Sequence, residues 1–110
     1  AGPGAGGAGA RVGPTRGFCR VDLATGEVAD VWCSGPRCFV DDFVAVPKAP
    51  EAAGEEDAGV WLLAPVFDAA RGASSVAVLD GEDLAAGPVC EARLGLRVPF
   101  GLHGCWHPAA

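Results

Sequence analysis

The chain reads as all-β on three observations. Short apolar stretches recur at intervals of roughly ten residues between turn-forming clusters, a spacing too tight for helices of ordinary length. Thirteen valines stand against no methionine, a bias that suits strands better than helices. Phe18 to Leu23 and Val28 to Trp32 alternate apolar and polar residues around Ala24-Thr25-Gly26-Glu27, which is the pattern of a hairpin. A sandwich, a barrel or a propeller would satisfy all three, so periodicity stops at the class.

Residues 1–17 hold Gly, Ala, Pro and two Arg with little that could enter a core, and are expected to be a disordered lead-in. Residues 18–110 are expected to be the folded part, opening with the hairpin. A third strand is expected within Cys38 to Val46, closed by Pro47 and followed by an acidic loop bearing Pro and Gly, through Gly59. Val60 to Asp68 is a continuous apolar run, too short for a comfortable helix. It fits a buried strand with an irregularity at Pro65. Ser75 to Asp80 is the next strand, after the turn at Arg71-Gly72. Gly81 to Ala86 has room for one helical turn, and Gly87 to Leu94 is a last strand.

Composition limits the function. With 110 residues the chain is one small domain at most, and since it starts on alanine it is expected to be a piece of a longer chain. A domain of this size buries about two thirds of its unfolded surface, a thin margin of stability. The core is thinner still, because 21 of the hydrophobic residues are alanine. The net charge is −6, with acids gathered in Glu51 to Asp57 and Asp80 to Asp83 and the eight basic residues scattered singly, which excludes a nucleic-acid partner. No apolar run approaches the roughly 20 residues of a membrane helix, and there is no secretory leader in the sequence. An intracellular soluble protein is expected, with a plastid location open because a targeting region would precede residue 1.

Five cysteines, Cys19, Cys33, Cys38, Cys90 and Cys105, make an odd set with no C-x-x-C pair, which argues against a disulfide framework. Zinc held by Cys33, Cys38, Cys105 and His107 would need paired ligand knuckles that the spacing does not provide. The cysteines are expected to be small, mostly buried thiols in a reducing compartment.

Val98-Pro99-Phe100-Gly101-Leu102-His103-Gly104-Cys105-Trp106 sets one of only two histidines between two glycines. Glycine allows backbone angles and close contacts that a Cβ resists, so the imidazole is expected to meet an approach that side chains would obstruct. Pro99 stiffens the entry, and Phe100 and Trp106 supply bulk. A metal-ligating or catalytic histidine and an ordinary surface or core histidine both fit this spacing.

Five ordered segments carry a resemblance. Asp22 to Val28 resembles "Y-D-L-x-T-G", Phe39 to Pro47 resembles "F-G-G-E-P-x-F-V-P", and Glu55 to Leu63 is similar to "E-D-D-G-W-L-L". Val76 to Leu84 is similar to "L-x-V-L-D-A-x-D-L", and Val98 to Trp106 to "V-P-Y-G-F-H-G-T-W". All belong to the carotenoid cleavage oxygenases, the family that also holds lignostilbene dioxygenases and the retinal pigment epithelium isomerase. The resemblance covers about residues 18 to 108. It implies a seven-bladed β-propeller with Fe(2+) on its axis, held by four histidines from different blades, of which this chain supplies the last, His103. The chain is thus expected to be the C-terminal blades of a longer enzyme.

Four neutral imidazoles suit Fe(II) and leave positions for dioxygen. The implied reaction is oxidative cleavage of a conjugated double bond of a carotenoid or apocarotenoid into two carbonyl products, with O2 as co-substrate. Peripheral membrane association of the full-length protein, to extract such a substrate, goes with it. The glutamate of "G-E-P" is implied to support a ligand histidine from outside the metal's shell, and the alignment puts Asp42 there, one methylene shorter, with Asp41 adjacent and Phe43 in place of proline. Solvated strand-edge acids are the other reading of Asp41 and Asp42. Leu102, Cys105 and His107 also depart from the pattern without removing the ligand. His107, four residues on in extended chain, points away from the same metal. Trp32 and Trp61 are packing residues.

Alone, the chain is expected to be inactive, to hold iron poorly and to aggregate through unpaired strand edges. The rival readings are a stilbene-cleaving dioxygenase and a degenerate, non-catalytic β module with a binding or structural role.

Overall fold

The computed structural model describes residues 14–56 and 58–109. The lead-in expectation for residues 1–13 lies outside the described residues. Residues 14–17, the described end of the lead-in expected over 1–17, join the fold: the carbonyl of Thr15 accepts from the Val40 amide and that of Arg16 from the Ser34 amide, both at 2.8 Å.

Seven strands are described, and the architecture is all-β. β1 (Gly17–Val21) and β2 (Val28–Cys33) form the hairpin, antiparallel from Gly17↔Cys33 to Arg20↔Asp30 with a register shift before Val21↔Val28. The Asp22 carboxylate accepts from the Ala24 amide at 2.8 Å, and Gly26 takes φ +73°, a left-handed angle that closes the turn. β3 (Cys38–Val40), β4 (Val44–Pro47), β5 (Val60–Asp68), β6 (Ala73–Asp80) and β7 (Pro88–Arg93) make the second sheet, with β3 and β4 both on β5, then β6, then β7. Taken as one interrupted strand, β3 and β4 make this a four-stranded antiparallel meander. Single 3-10 turns at Pro50–Ala52 and Leu84–Ala86 are the only helical pieces among the described residues, the second within the stretch expected to turn.

Two expectations are corrected by one cause. The stretch Cys38 to Val46, expected to contain one strand, holds two pieces broken at residues 41–43, while β5 runs unbroken through Pro65, which faces Val76. On the other side Val40 faces Val66 and Val44 faces Leu63, so three residues, Asp41 to Phe43, stand opposite two, Ala64 and Pro65. The Pro65 carbonyl accepts from the Asp41 amide at 2.9 Å, which shows that the side of Pro65 lacking an N–H faces this gap. A proline in a central strand is tolerated where the neighbour bulges. The irregularity expected at Pro65 therefore appears one strand away.

One face of the sheet forms the core. Val40, Leu62, Ala64, Val66, Ala77 and Leu79 alternate inward, with Leu84 from the 3-10 turn and Phe18, Trp32, Cys38 and Val60 packed against them. Phe18 stacks on Trp32 at 5.9 Å between ring centroids. The hairpin is fastened by Asp30, whose carboxylate accepts from the amides of Leu84 at 2.6 Å and Ala85 at 2.9 Å, with Arg20 at 3.7 Å. It thereby satisfies donors that the short turn leaves without partners. At Gly17 an added Cβ would land on the Trp32 carbonyl oxygen. Lys48 lies 4.5 Å from the Trp61 ring centroid and donates to Asp80 at 2.7 Å, and this bond holds the Asp80 carboxyl below its ordinary range.

The cysteine expectation fails: Cys19, Cys33, Cys90 and Cys105 are exposed, and only Cys38 is half-buried. Cys19 and Cys33 sit on hairpin strands that turn outward, and β7 is exposed along its whole length. Burial pushes the Cys38 thiol up, and the nearby Asp68 and Glu91 add to it.

Opposite the core, Ser74 holds the chain after β7. Its carbonyl accepts from the Leu94 amide at 3.0 Å, its amide donates to the Leu96 carbonyl at 2.7 Å, and its hydroxyl accepts from the Val98 amide at 2.9 Å. The segment then crosses over Pro65 and Phe67 toward the β3/β4 edge.

Asp30→Ala should destabilise the fold by about 1–2 kcal/mol, since it strips two amides of a charged acceptor. Asp30→Asn should cost less. The shift of the urea midpoint at constant slope checks both.

Candidate metal centre

The bulge opposite Pro65 is where the site forms. It lifts Asp41 and Asp42 out of the ladder at the sheet's edge, and the crossing segment brings residues 100–104 alongside. The Asp42 carboxylate lies 3.3 Å from His103 Nδ1. Asp41 accepts twice: one carboxylate oxygen takes the Asp42 amide at 2.8 Å, the other the Gly101 amide at 2.7 Å. A recess of about 140 Å³ lies between bulge and loop, lined by Val44, Pro65 and Gly104 as well as these residues.

The His103 side chain is 79% exposed and that of Asp42 45%. With Nδ1–H donated to Asp42, the lone pair belongs to Nε2, the nitrogen then able to bind a metal. The donor chemistry fits one imidazole ligand with carboxylate support. It does not fit a complete centre, because among the described residues no group of three or more His, Cys, Asp or Glu is placed to hold a metal ion. That finding also separates Cys33, Cys38, Cys105 and His107, the set considered for zinc. The His107 ring nitrogen contacts the Pro108 carbonyl at 2.9 Å.

The steric role expected for the glycines beside His103 is corrected in part. Gly101 and Gly104 do not adopt positive φ. An added Cβ would come to 3.7 Å from the Asp41 carboxylate and 3.4 Å from the Val44 side chain, ordinary contact distances. Among the described residues nothing obstructs a side chain there.

Two residues that shape the site carry no motif of their own. Asp41 is marked in the sequence only as a neighbour of Asp42, though a proline inside an apolar strand run points to a bulge on the facing strand and so to its side chains. Ser74 has no sequence signal at all, and its 3% exposure arises from tertiary packing.

A four-stranded antiparallel meander is the unit of a β-propeller blade, and here a histidine in contact with a carboxylate sits on its edge. The family model described as retinal pigment epithelial membrane protein matches residues 4–108, and the chain belongs to this carotenoid oxygenase family. It is 37% identical over 79 residues to an isoeugenol monooxygenase of Pseudomonas nitroreducens, covering 72% of this chain and 16% of that protein. It is 36% identical over 90 residues to carotenoid 9,10(9',10')-cleavage dioxygenase 1 of Pisum sativum, covering 82% of this chain and 16% of the relative. The crystal structure of cobalt-substituted Synechocystis apocarotenoid oxygenase superposes with a TM-score of 0.74 at 28% identity, over 88% of this chain and 19% of that one. Proteins named as lignostilbene dioxygenases match as well. The chain thus spans about a sixth of the length of the curated relatives it matches.

Gly101→Ala and Gly104→Ala should leave the fold intact, each within about 0.5 kcal/mol of the parent. Gly17→Ala should cost more, in the range of about 1–3 kcal/mol for a forced steric insertion. Thermal unfolding of the three variants side by side decides it.

Proposed function

We propose that this chain supplies one imidazole ligand, His103, to a non-haem Fe(II) dioxygenase that cleaves a conjugated double bond of a carotenoid or apocarotenoid into two carbonyl products. The observation that supports it is the His103–Asp42 contact at the bulged edge of a blade whose family includes named carotenoid-cleaving dioxygenases. Iron(II) in a set of neutral imidazoles supplies the binding and activation of dioxygen.

The chain's own residues do three things in this reading. Asp42 accepts the hydrogen bond from Nδ1–H, which fixes the tautomer and raises the basicity of Nε2. Ser74 and Asp41 hold the strand-crossing segment so that His103 arrives at the edge. Phe18, Phe43, Phe100 and Leu102 line an open recess of about 630 Å³ beside the two carboxylates. A long apolar polyene would bury its surface against such side chains. Drawing that substrate from a lipid phase makes peripheral membrane association of the whole protein part of the proposal.

The similarity to an isoeugenol monooxygenase and to lignostilbene dioxygenases favours a second substrate class, a phenolic or stilbene-type alkene. The two classes differ in what the recess must hold.

The complete gene product that contains this chain should bind iron and cleave one of these alkenes, and His103→Ala should lose most of both. Iron content and product formation with a carotenoid, a stilbene and isoeugenol are the measurements. Full iron and activity in His103→Ala would sink the assignment, and absence of both from the parent would leave the non-catalytic β module.

The 110-residue chain by itself should be inactive and hold iron weakly, since its two histidines are too few for the four-imidazole set and only His103 is placed as a ligand in this reading. Dialysis against Fe(II) followed by metal analysis checks this.

A further inference from the structure

We propose that Asp41 is a positioning residue for His103, drawing the histidine's loop in to meet the short side chain of Asp42. The inference rests on the reading of His103 as a ligand. Asp41 stands first in the bulge, and its carboxylate spans the two halves of the site. One oxygen accepts from the Asp42 amide at 2.8 Å, so it fixes the backbone that carries the supporting acid. The other accepts from the Gly101 amide at 2.7 Å, two residues before the imidazole. No other side-chain bond is made to the backbone of residues 99–104 among the described residues.

The lengths make the need plain. Asp42 is one methylene, or about 1.5 Å, shorter than a glutamate at the same position. At 3.3 Å its contact with Nδ1 is already at the long end for an N–H···O bond, so a loop displaced outward by an ångström would lose it. The segment that Phe39 to Pro47 resembles carries glycine where Asp41 stands and glutamate where Asp42 stands. A glycine has no group with which to hold Gly101, and a glutamate would reach a loop that is not held. In the proposal the two acids act together, Asp42 as the short supporting arm and Asp41 as the group that pulls its target closer.

The experiment uses the complete gene product in its cobalt-loaded and metal-free forms, with variants Asp41→Gly, Asp41→Asn and the double variant Asp41→Gly with Asp42→Glu. Asp41→Gly should weaken Co(II) affinity about tenfold, the lower end of losses for groups that orient a ligand. It should also shift the visible cobalt spectrum and speed hydrogen exchange at the Gly101 amide. Asp41→Asn, which keeps one acceptor oxygen and guards against misfolding as the cause, should fall between. The double variant should regain most of the affinity while Gly101 stays fast-exchanging. Unchanged Gly101 exchange in Asp41→Gly, unchanged affinity, or a double variant no better than Asp41→Gly would each overturn the proposal. Failure of the ligand reading shows separately, as undiminished cobalt binding in His103→Ala.

Discussion

Pro65 sits in the middle of a central strand and has no N–H to give to the neighbour on its open side. That missing donor sets the geometry at the sheet's edge. A regular strand opposite would leave one ladder position without its bond, whereas a bulge places an extra residue there and uses only the carbonyl, which the Asp41 amide occupies at 2.9 Å. Because side-chain direction alternates with every residue, one inserted residue reverses the facing of the residues after it. Val40 stays in the core at 1% exposure, while Asp41 is half-buried and Asp42 exposed at the rim. Two carboxylates at an edge would otherwise be solvated acids with no partner. Here they meet a loop that another part of the chain delivers.

That delivery depends on polar bonds more than on apolar burial. The core is small, seven buried hydrophobic residues among those described, and it lies on the opposite face of the sheet. The face crossed by the C-terminal segment is held by the three bonds of Ser74, by Arg97 placed 5.5 Å from the Phe67 ring centroid, and by Asp41. Phe100 is 59% exposed and Leu102 80%, so the segment's apolar side chains contribute little cover within this chain. Directional bonds to a rigid strand place a backbone more narrowly than apolar contact does, which suits the role proposed for His103.

Much of this was legible in the sequence, for identifiable reasons. The hairpin was readable because Asp22, Thr25 and Gly26 are turn residues with known local bonds, and the structure uses them so. β5 and β6 were readable as apolar runs between turn signals. His103 and Asp42 were paired through the resemblance, since 61 residues of sequence separate them and no local rule joins such partners. What escaped was set by tertiary context. The break in Cys38 to Val46 is dictated by a proline on a different strand. The exposure of four cysteines arises from how little of the surface one blade and one hairpin can cover, which composition does not report. The glycines beside His103 looked sterically required, yet here their neighbours stand at ordinary distances.

An imidazole on the rim of a blade is poorly placed to bind a metal alone and well placed to share one. A ligand set drawn from one chain segment needs close sequence spacing, as in zinc knuckles, and this chain has none. A set drawn from several blades needs each blade to present a single donor at the same height on the same edge, so precision must come from within each blade. The bonding found here has the form that the proposed ligand role would need: the bulge opposite Pro65 presents Asp42, Ser74 sends the segment across, and Asp41 ties the two together. In the proposed site the short acid at position 42 meets a loop that the neighbouring carboxylate ties down. A shorter arm is tolerable wherever its target is held closer, and the carboxylate next to it is the group that holds the target.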